Sequence, residues 1–315
     1  MEFCPHCMQP AYGVYCVNCG QKIEWTASPG QLPLGTILQS DKGGVYQIGA
    51  VRGQGGFGIT YAAMDLYKAR RVAIKEYFPA RSAARAGVCQ VMPVTGQSET
   101  YRGGLNSFLE EAMMLSAVGA LTSVVAVLDY FQANGTAYLV MEFVDGVPLH
   151  HIVNQQGRLS AHAFLPLLPE LLQDLGILHK AGVIHRDISP DNLILMPNGR
   201  LKLLDFGSAR SFRDDKDMTM LHKAGFSPVE QYQSRGQGSW TDVYALAATI
   251  YYCLTGTIPP AAVDRLVHDT IVRPNSLGAG LTSWQEKVLM YGLAVQPKTR
   301  YASMEQFKQA LFPKG

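Results

Sequence analysis

Two aspartates and an asparagine carry the chemistry of this 315-residue chain: Asp187 and Asn192 in the run Gly182-Val-Ile-His-Arg-Asp-Ile-Ser-Pro-Asp-Asn192, and Asp205 at the head of Asp205-Phe206-Gly207. Phosphoryl transfer calls for a carboxylate beside the attacking hydroxyl and two further oxygen ligands that hold Mg²⁺ on the phosphates. Upstream, Gly53-Gln-Gly55-Gly56-Phe57-Gly58 sets four glycines in six positions between two strand-like stretches. Without a Cβ, such a backbone can bring its N–H groups close to phosphate oxygens. Val72-Ala73-Ile74-Lys75 ends a β-run with an ammonium that could reach the same phosphates. Read alone, the glycine loop is equally a mobile hairpin tip, and Lys75 a solvated strand end.

A second set of reactive residues lies at the start of the chain. Cys4-Pro-His-Cys7 and Cys16-Val-Asn-Cys19-Gly are two C-x-x-C knuckles that can place four thiolates around one ion at ~2.3 Å. Their separation is shorter than the usual four-cysteine spacing, so a short hairpin must close it. Gly20 suits the tight turn of the second knuckle, and His6 reads as a surface residue, not a fifth ligand. Two disulfides are the alternative, disfavoured because Met-Glu-Phe-Cys-Pro-His-Cys has neither the basic start nor the apolar stretch of a secretion signal. Residues 1–24 resemble a zinc ribbon with Cys4, Cys7, Cys16 and Cys19 as ligands to a structural Zn²⁺, which would fold a segment that has almost no apolar core. Cys89 and Cys253 belong to no motif, and Cys253 sits in an apolar helix pattern.

These residues need a scaffold. The chain is long enough for one two-lobed domain plus a small module. Lys and Arg exceed Asp and Glu by only two (27 against 25), which argues against a nucleic-acid or anionic-membrane surface. No apolar run reaches the ~18 residues of a spanning helix, so a cytoplasmic location is expected. Residues 25–35, with two prolines and two glycines, read as a linker. Strand patterns follow at Tyr46–Val51, Ile59–Met64, Arg70–Tyr77, Val124–Phe131 and Ala137–Phe143. Between 79 and 105 lies a segment of small and polar residues, either an insertion or the site of a short strand near Val91–Met92. Helical periodicity begins at Ser107 (Phe108, Ala112, Leu115, Val118) and returns over 163–180, 241–255, 284–294 and 304–311.

The glycine loop, V-A-I-K, H-R-D-I-S-P-D-N and D-F-G, in this order, resemble the eukaryotic-type Ser/Thr protein kinases of bacteria over roughly residues 36–312. The resemblance implies an α+β fold: a small lobe (36–143) of five strands and one helix, and a larger helical lobe (147–312), together a kinase domain over 36–315. It implies ATP and Mg²⁺ as cofactors. ATP would be held by Gly53, Gly55, Gly56, Phe57, Gly58 and Lys75, and by Met141, Glu142 and Val144 along its adenine. Lys75 would pair with Glu111 rather than Glu110. Asp187 would orient the substrate hydroxyl, while Asn192 and Asp205 would ligate Mg²⁺. Arg186 before the catalytic aspartate implies control by an activation-segment phosphate, with Ser208, Ser211 and Thr219 as acceptors and Thr219 favoured by position. Glu230 and Arg300 resemble a buried ion pair of the family, and Asp242 the helix aspartate that holds the catalytic loop.

Two departures stand out. Thr60 replaces a valine usual over the adenine. More consequentially, Ser189 stands where the family has a lysine on the γ-phosphate, and Lys223 aligns with the threonine that normally touches it. The two residues look exchanged, so that Lys223 would return the missing charge. The expected activity is transfer of the γ-phosphoryl group to Ser or Thr of protein substrates, including the activation segment. The alternatives are a small-molecule kinase of the same fold, or a nucleotide-binding scaffold acting through its ribbon. With only Lys22 as nearby positive charge, the ribbon is expected to dock or dimerise proteins rather than bind nucleic acid.

Overall fold

The computed structural model describes residues 3–204, 210–211 (backbone only), 223–232 and 236–313. The chain divides into two compact units, residues 1–119 with 126–143, and residues 120–125 with 144–315.

In the first unit an antiparallel sheet runs in the order β1 (Ile37–Gln39), β2 (Val45–Gln54), β3 (Gly58–Asp65), β4 (Arg70–Tyr77), β8 (Thr136–Glu142), β7 (Val127–Ala133). It has six strands where five were expected, because Ile37–Gln39 pairs with Val45–Gln47 at the β2 edge. Residues 79–105 are ordered too. A hairpin of β5 (Ala83–Ala86) and β6 (Gln90–Pro93) precedes helix α1, which spans Ser98–Val118 and starts nine residues earlier than the periodicity indicated. Gly103-Gly104 had read as loop. A Cβ at Gly104 would collide with the Tyr77 hydroxyl, so this glycine serves helix–sheet contact.

Successive β4 side chains point to opposite faces, yet Ile74, Lys75 and Glu76 are all buried. Glu76, fully buried, accepts from Tyr61 (3.0 Å), Tyr138 (3.1 Å) and Arg85 Nη2 (2.6 Å). Arg85 also donates to the carbonyls of Gly30 and Cys89, and Tyr61 Oη accepts from Leu32 N. One satisfied charge network thereby ties residues 30–32 and the β5–β6 hairpin to the sheet.

In the second unit, α5 (Ser239–Thr255) is buried at every position from Thr241 to Leu254 and packs against α2, α7 and α8. Helices α2 (Leu149–Gln156), α3 (Ala161–Phe164), α4 (Leu168–Lys180), α6 (Ala262–Val267), α7 (Ser283–Gly292) and α8 (Met304–Leu311) complete the helical part. Strands β9 (Val147–Pro148), β11 (Leu193–Leu195) and β12 (Leu201–Leu203) form one small sheet, and β10 (Val183–Ile184) pairs with β13 (Arg210–Ser211). Among the described residues no helix is long and apolar enough to cross a membrane.

Candidate active site

The loop between β10 and β11 carries Asp187, and its backbone is held from beneath. Asp242, in the first turn of α5 and fully buried, accepts from His185 N–H (2.8 Å) and Arg186 N–H (2.9 Å), and its Oδ2 lies 2.8 Å from His179 Nε2. Burial works to raise the Asp242 pKa, but the hydrogen bond and charge of His179, with those of His185, take it below the usual carboxylate value. Arg186 adopts φ 67°, uncommon for a residue with a Cβ. The Asp242 bonds and Gln231 Nε2, which donates to Arg186 O at 2.6 Å, hold it there.

Asp187 itself is half-buried. The Asn192 amide donates both to its carbonyl and to its Oδ2, each at 2.8 Å, which leaves Asn192 Oδ1 as the oxygen that could meet a cation. Asp187 N–H lies 3.3 Å from His185 Nδ1, and His185 Nε2 lies 3.0 Å from Leu204 O. Asp205, Ser208 and Thr219 lie outside the described residues, and of Ser211 only the backbone is described.

Ser189 and Lys223, 34 positions apart, touch. Lys223 Nζ donates to Ser189 Oγ (2.8 Å), pairs with Asp191 Oδ2 (2.8 Å), and stands 3.9 Å from Asp187 Oδ1. The other oxygen of Asp191 meets His150 Nδ1 at 2.9 Å. Neither Asp191 nor His150 was singled out from sequence; an acid beside Asn192 in the same run was the available signal. Next along the chain, Glu230 and Arg300 form a two-point buried ion pair (2.7 and 3.1 Å). Arg300 also caps the carbonyls of Ala294 and Val295, both at 2.5 Å.

In the first unit, Lys75 is buried on β4, paired in register with Thr60 and Leu139. On α1 Glu111 is buried and Glu110 exposed. Gly53, Gly55 and Gly56 are exposed, Phe57 is half-buried, and Gly55 N donates across the turn to Gly58 O. A Cβ at Gly53 or Gly55 would meet no protein atom within 4 Å; at Gly58 it would strike the Glu76 carbonyl and lie 3.8 Å from Lys75 Cε. Of these three, packing requires glycine at 58, and the first two leave backbone open for a ligand. Met141 is buried in β8, and Glu142 N–H is committed to Ala126 O (3.0 Å), so only its carbonyl could serve an adenine edge. Val144, half-buried, belongs to the second unit.

A family model described as "Protein kinase domain" matches residues 46–309. The chain belongs to the protein kinase family. It is 32% identical over 271 residues to Serine/threonine-protein kinase B of Synechocystis, covering 81% of this chain and 42% of that protein. It is 31% identical over 282 residues to Serine/threonine-protein kinase PknB of Mycolicibacterium smegmatis, covering 84% and 42%. A solved structure, "PpkA-294 apo form", aligns with TM-score 0.76 at 32% identity over 90% of this chain and 99% of that one. The kinase chain spans about two-fifths of the length of the curated relatives it matches.

The kinase's four N-terminal cysteines converge, their sulfurs all within 4.8 Å of one another. Cys4–Cys19 (3.6 Å) and Cys7–Cys16 (3.7 Å) are too long for disulfides. They are close to the ~3.8 Å edge of a sulfur tetrahedron around an ion at ~2.3 Å. Burial pushes the Cys7 pKa up to about 12. At Cys16 the upward push of burial is overcome by the backbone N–H groups of Cys19 and Asn18, which bring it down to about 6. The donor set, soft and buried except for the half-buried Cys19, fits a tetrahedral metal such as zinc. His6 is not part of the cluster; its half-buried ring packs edge-on against Trp25.

Proposed function

We propose that this chain is an ATP- and Mg²⁺-dependent protein Ser/Thr kinase with a structural Zn²⁺ in its N-terminal ribbon. The observation that carries the reading is the catalytic loop: Asp187, bonded to Asn192, on a backbone that the buried Asp242 holds at two consecutive N–H groups. Asp187 orients the substrate hydroxyl and takes its proton as the hydroxyl oxygen bonds the γ-phosphorus, while the β–γ bridging bond breaks and ADP leaves. Asn192 and Asp205 would hold Mg²⁺, which neutralises phosphate charge when bound. Lys75, supported by Glu111, and the loop Gly53–Gly58 hold the phosphates; Met141, the Glu142 carbonyl and Val144 hold the adenine. Lys223, braced by Ser189 and Asp191, supplies the γ-phosphate charge that a lysine at 189 gives in the family.

Protein substrates, the kinase's own activation segment among them, follow from this family reading. Leading into and within the second knuckle, Tyr12, Val14, Tyr15 and Val17 are exposed, and the nearby Lys22 is paired with Glu24 (2.6 Å). An apolar surface whose neighbouring lysine is ion-paired supports protein docking over nucleic-acid binding. The test is to incubate the protein and Asp187→Ala with Mg²⁺ and γ-labelled ATP and map the label. Labelled Ser or Thr in the protein, absent from the variant, is expected. Nucleotide binding without any label would shift the reading to a small-molecule kinase or a scaffold.

A further inference from the structure

Strand β2 leads straight into the glycine loop, and it reaches that loop irregularly. Ile48 pairs with Ala63 and Val51 with Tyr61, three steps on β2 against two on β3; Gly53 then pairs with Thr60, two steps against one. The strand thus carries an extra residue around Gly49–Ala50, and a bulge of this kind leaves a backbone group without a ladder partner. Ala50 is fully buried, so water cannot supply one. The partner is the first cysteine knuckle: Ala50 N–H donates to the carbonyl of Pro5, between Cys4 and Cys7, at 2.7 Å.

The fit around that bond is close. A Cβ at Gly49 would come within 2.5 Å of both Pro5 O and Met8 Sδ and 3.0 Å of Ala62 O, so only glycine lets the knuckle seat there. Met8, the residue after Cys7, is buried against Ala62 and Met64 of β3. It does so at φ 54°, whereas the equivalent position of the second knuckle is Gly20 at φ 70°. A methionine held in a conformation that suits glycine marks a side chain needed for its contact, not for its turn. Arg71 Nη1 lies at 3.5 Å from Cys7 O, at the limit of hydrogen-bond range.

We infer that the first knuckle is a positioning element for the phosphate loop: metal in the four-cysteine cluster fixes Pro5 and Met8, these fix the β2 bulge, and the bulge sets Gly53–Gly58 for nucleotide. The inference rests on the reading of that loop as the phosphate site. It assigns the ribbon a role within the catalytic unit, beside any docking through its second knuckle. Metal loss by chelation then acts on nucleotide affinity through Ala50.

Met8→Gly separates metal binding from docking, because it makes the first knuckle like the second and relieves its backbone while removing the seated side chain. Gly49→Val unseats the knuckle from the other side with all four cysteines intact. The full chain and both variants are assayed for zinc content, hydrogen exchange at the Ala50 amide, and affinity for a fluorescent ATP analogue with Mg²⁺. The expected result is one zinc per chain in the parent and both variants, with faster Ala50 exchange and a roughly tenfold weaker Kd in both variants and in the zinc-stripped parent. In turnover, KM for ATP rises with kcat little changed. Met8→Gly holding zinc and binding the analogue as tightly as the parent overturns the inference, as does faster Ala50 exchange without loss of affinity. A zinc-loaded parent that binds no nucleotide instead fails the phosphate-loop reading itself, so the two failures are told apart.

Discussion

The catalytic loop and the glycine loop serve the same reaction in the proposed function and are built in opposite ways. The first is fixed from below: Asp242 holds two consecutive N–H groups, Gln231 holds the Arg186 carbonyl, and Asn192 holds Asp187. The second is exposed, its turn crossed by the Gly55 N–H to Gly58 O bond, with empty space where Gly53 and Gly55 would carry side chains. A carboxylate that must meet a hydroxyl at one distance gains from rigidity. A loop that must admit ATP and release ADP gains from backbone free to close on phosphate. Substitutions in the first region should therefore cost stability and turnover together, and those at Gly53 or Gly55 in the second should touch nucleotide affinity alone.

The largest effect is expected at Asp242. Asp242→Ala strands three buried donors, each worth ~1–3 kcal/mol when unsatisfied, so unfolding in urea should show a loss of ~3–5 kcal/mol together with loss of turnover. The pH dependence has a definite sign. The carboxyl of Asp242 is held below its ordinary value of 3.8 in the fold. Its ionised form therefore contributes stability in full above that value, and the contribution is lost as pH falls through the lower folded value. Urea midpoints between about pH 3 and pH 6 should fall on acidification in the parent, and less steeply in Asp242→Asn. Equal slopes in the two proteins would remove Asp242 as the source.

Next in size is Lys223. Lys223→Ala should lower kcat by ~10²-fold at saturating ATP, the scale of removing one well-placed charge from a phosphoryl-transfer site. The sharper test is reciprocal: Ser189→Lys with Lys223→Thr restores the family arrangement at both positions and should recover most of the lost rate. Lys223→Ala with unchanged kcat would make Lys223 a structural partner of Asp191 and nothing more.

What the sequence disclosed follows from how local each feature is. The catalytic run, the glycine loop and the cysteine knuckles are contiguous, and residue type with spacing sufficed to group them. The contact of Lys223 with Ser189 was reached only through a departure in one motif and an alignment at another. Glu76 with Arg85 was invisible, since nothing in either segment names a partner; the β5–β6 hairpin creates the pair by bringing the Arg85 side chain against the buried Glu76. The strand Ile37–Gln39 has three residues, too few for an alternation to register, and its existence depends on the β2 edge beside it. Gly104 misled because glycine serves turning and close packing alike, and the Tyr77 hydroxyl that decides between them comes from another element. The seating of the first knuckle on β2 depends likewise on Gly49, an ordinary strand glycine until Pro5 is placed against it.

The smallest effect isolates the glycine loop. In Gly55→Ala the new Cβ meets no protein atom within 4 Å, and the backbone there is not in the left-handed region, so stability should change by no more than ~0.5 kcal/mol. What it does meet, in the proposed function, is phosphate. KM for ATP should rise ~3–10-fold with kcat nearly intact, the split that marks loss of binding shared by ground and transition states. Gly58→Ala is the control inside the same loop: its Cβ strikes the Glu76 carbonyl, so it should destabilise the unit as well as weaken ATP. If Gly55→Ala instead lowers kcat and leaves KM for ATP unchanged, the loop acts in the transition state as the catalytic loop does, and the contrast between an open region and a fixed one fails.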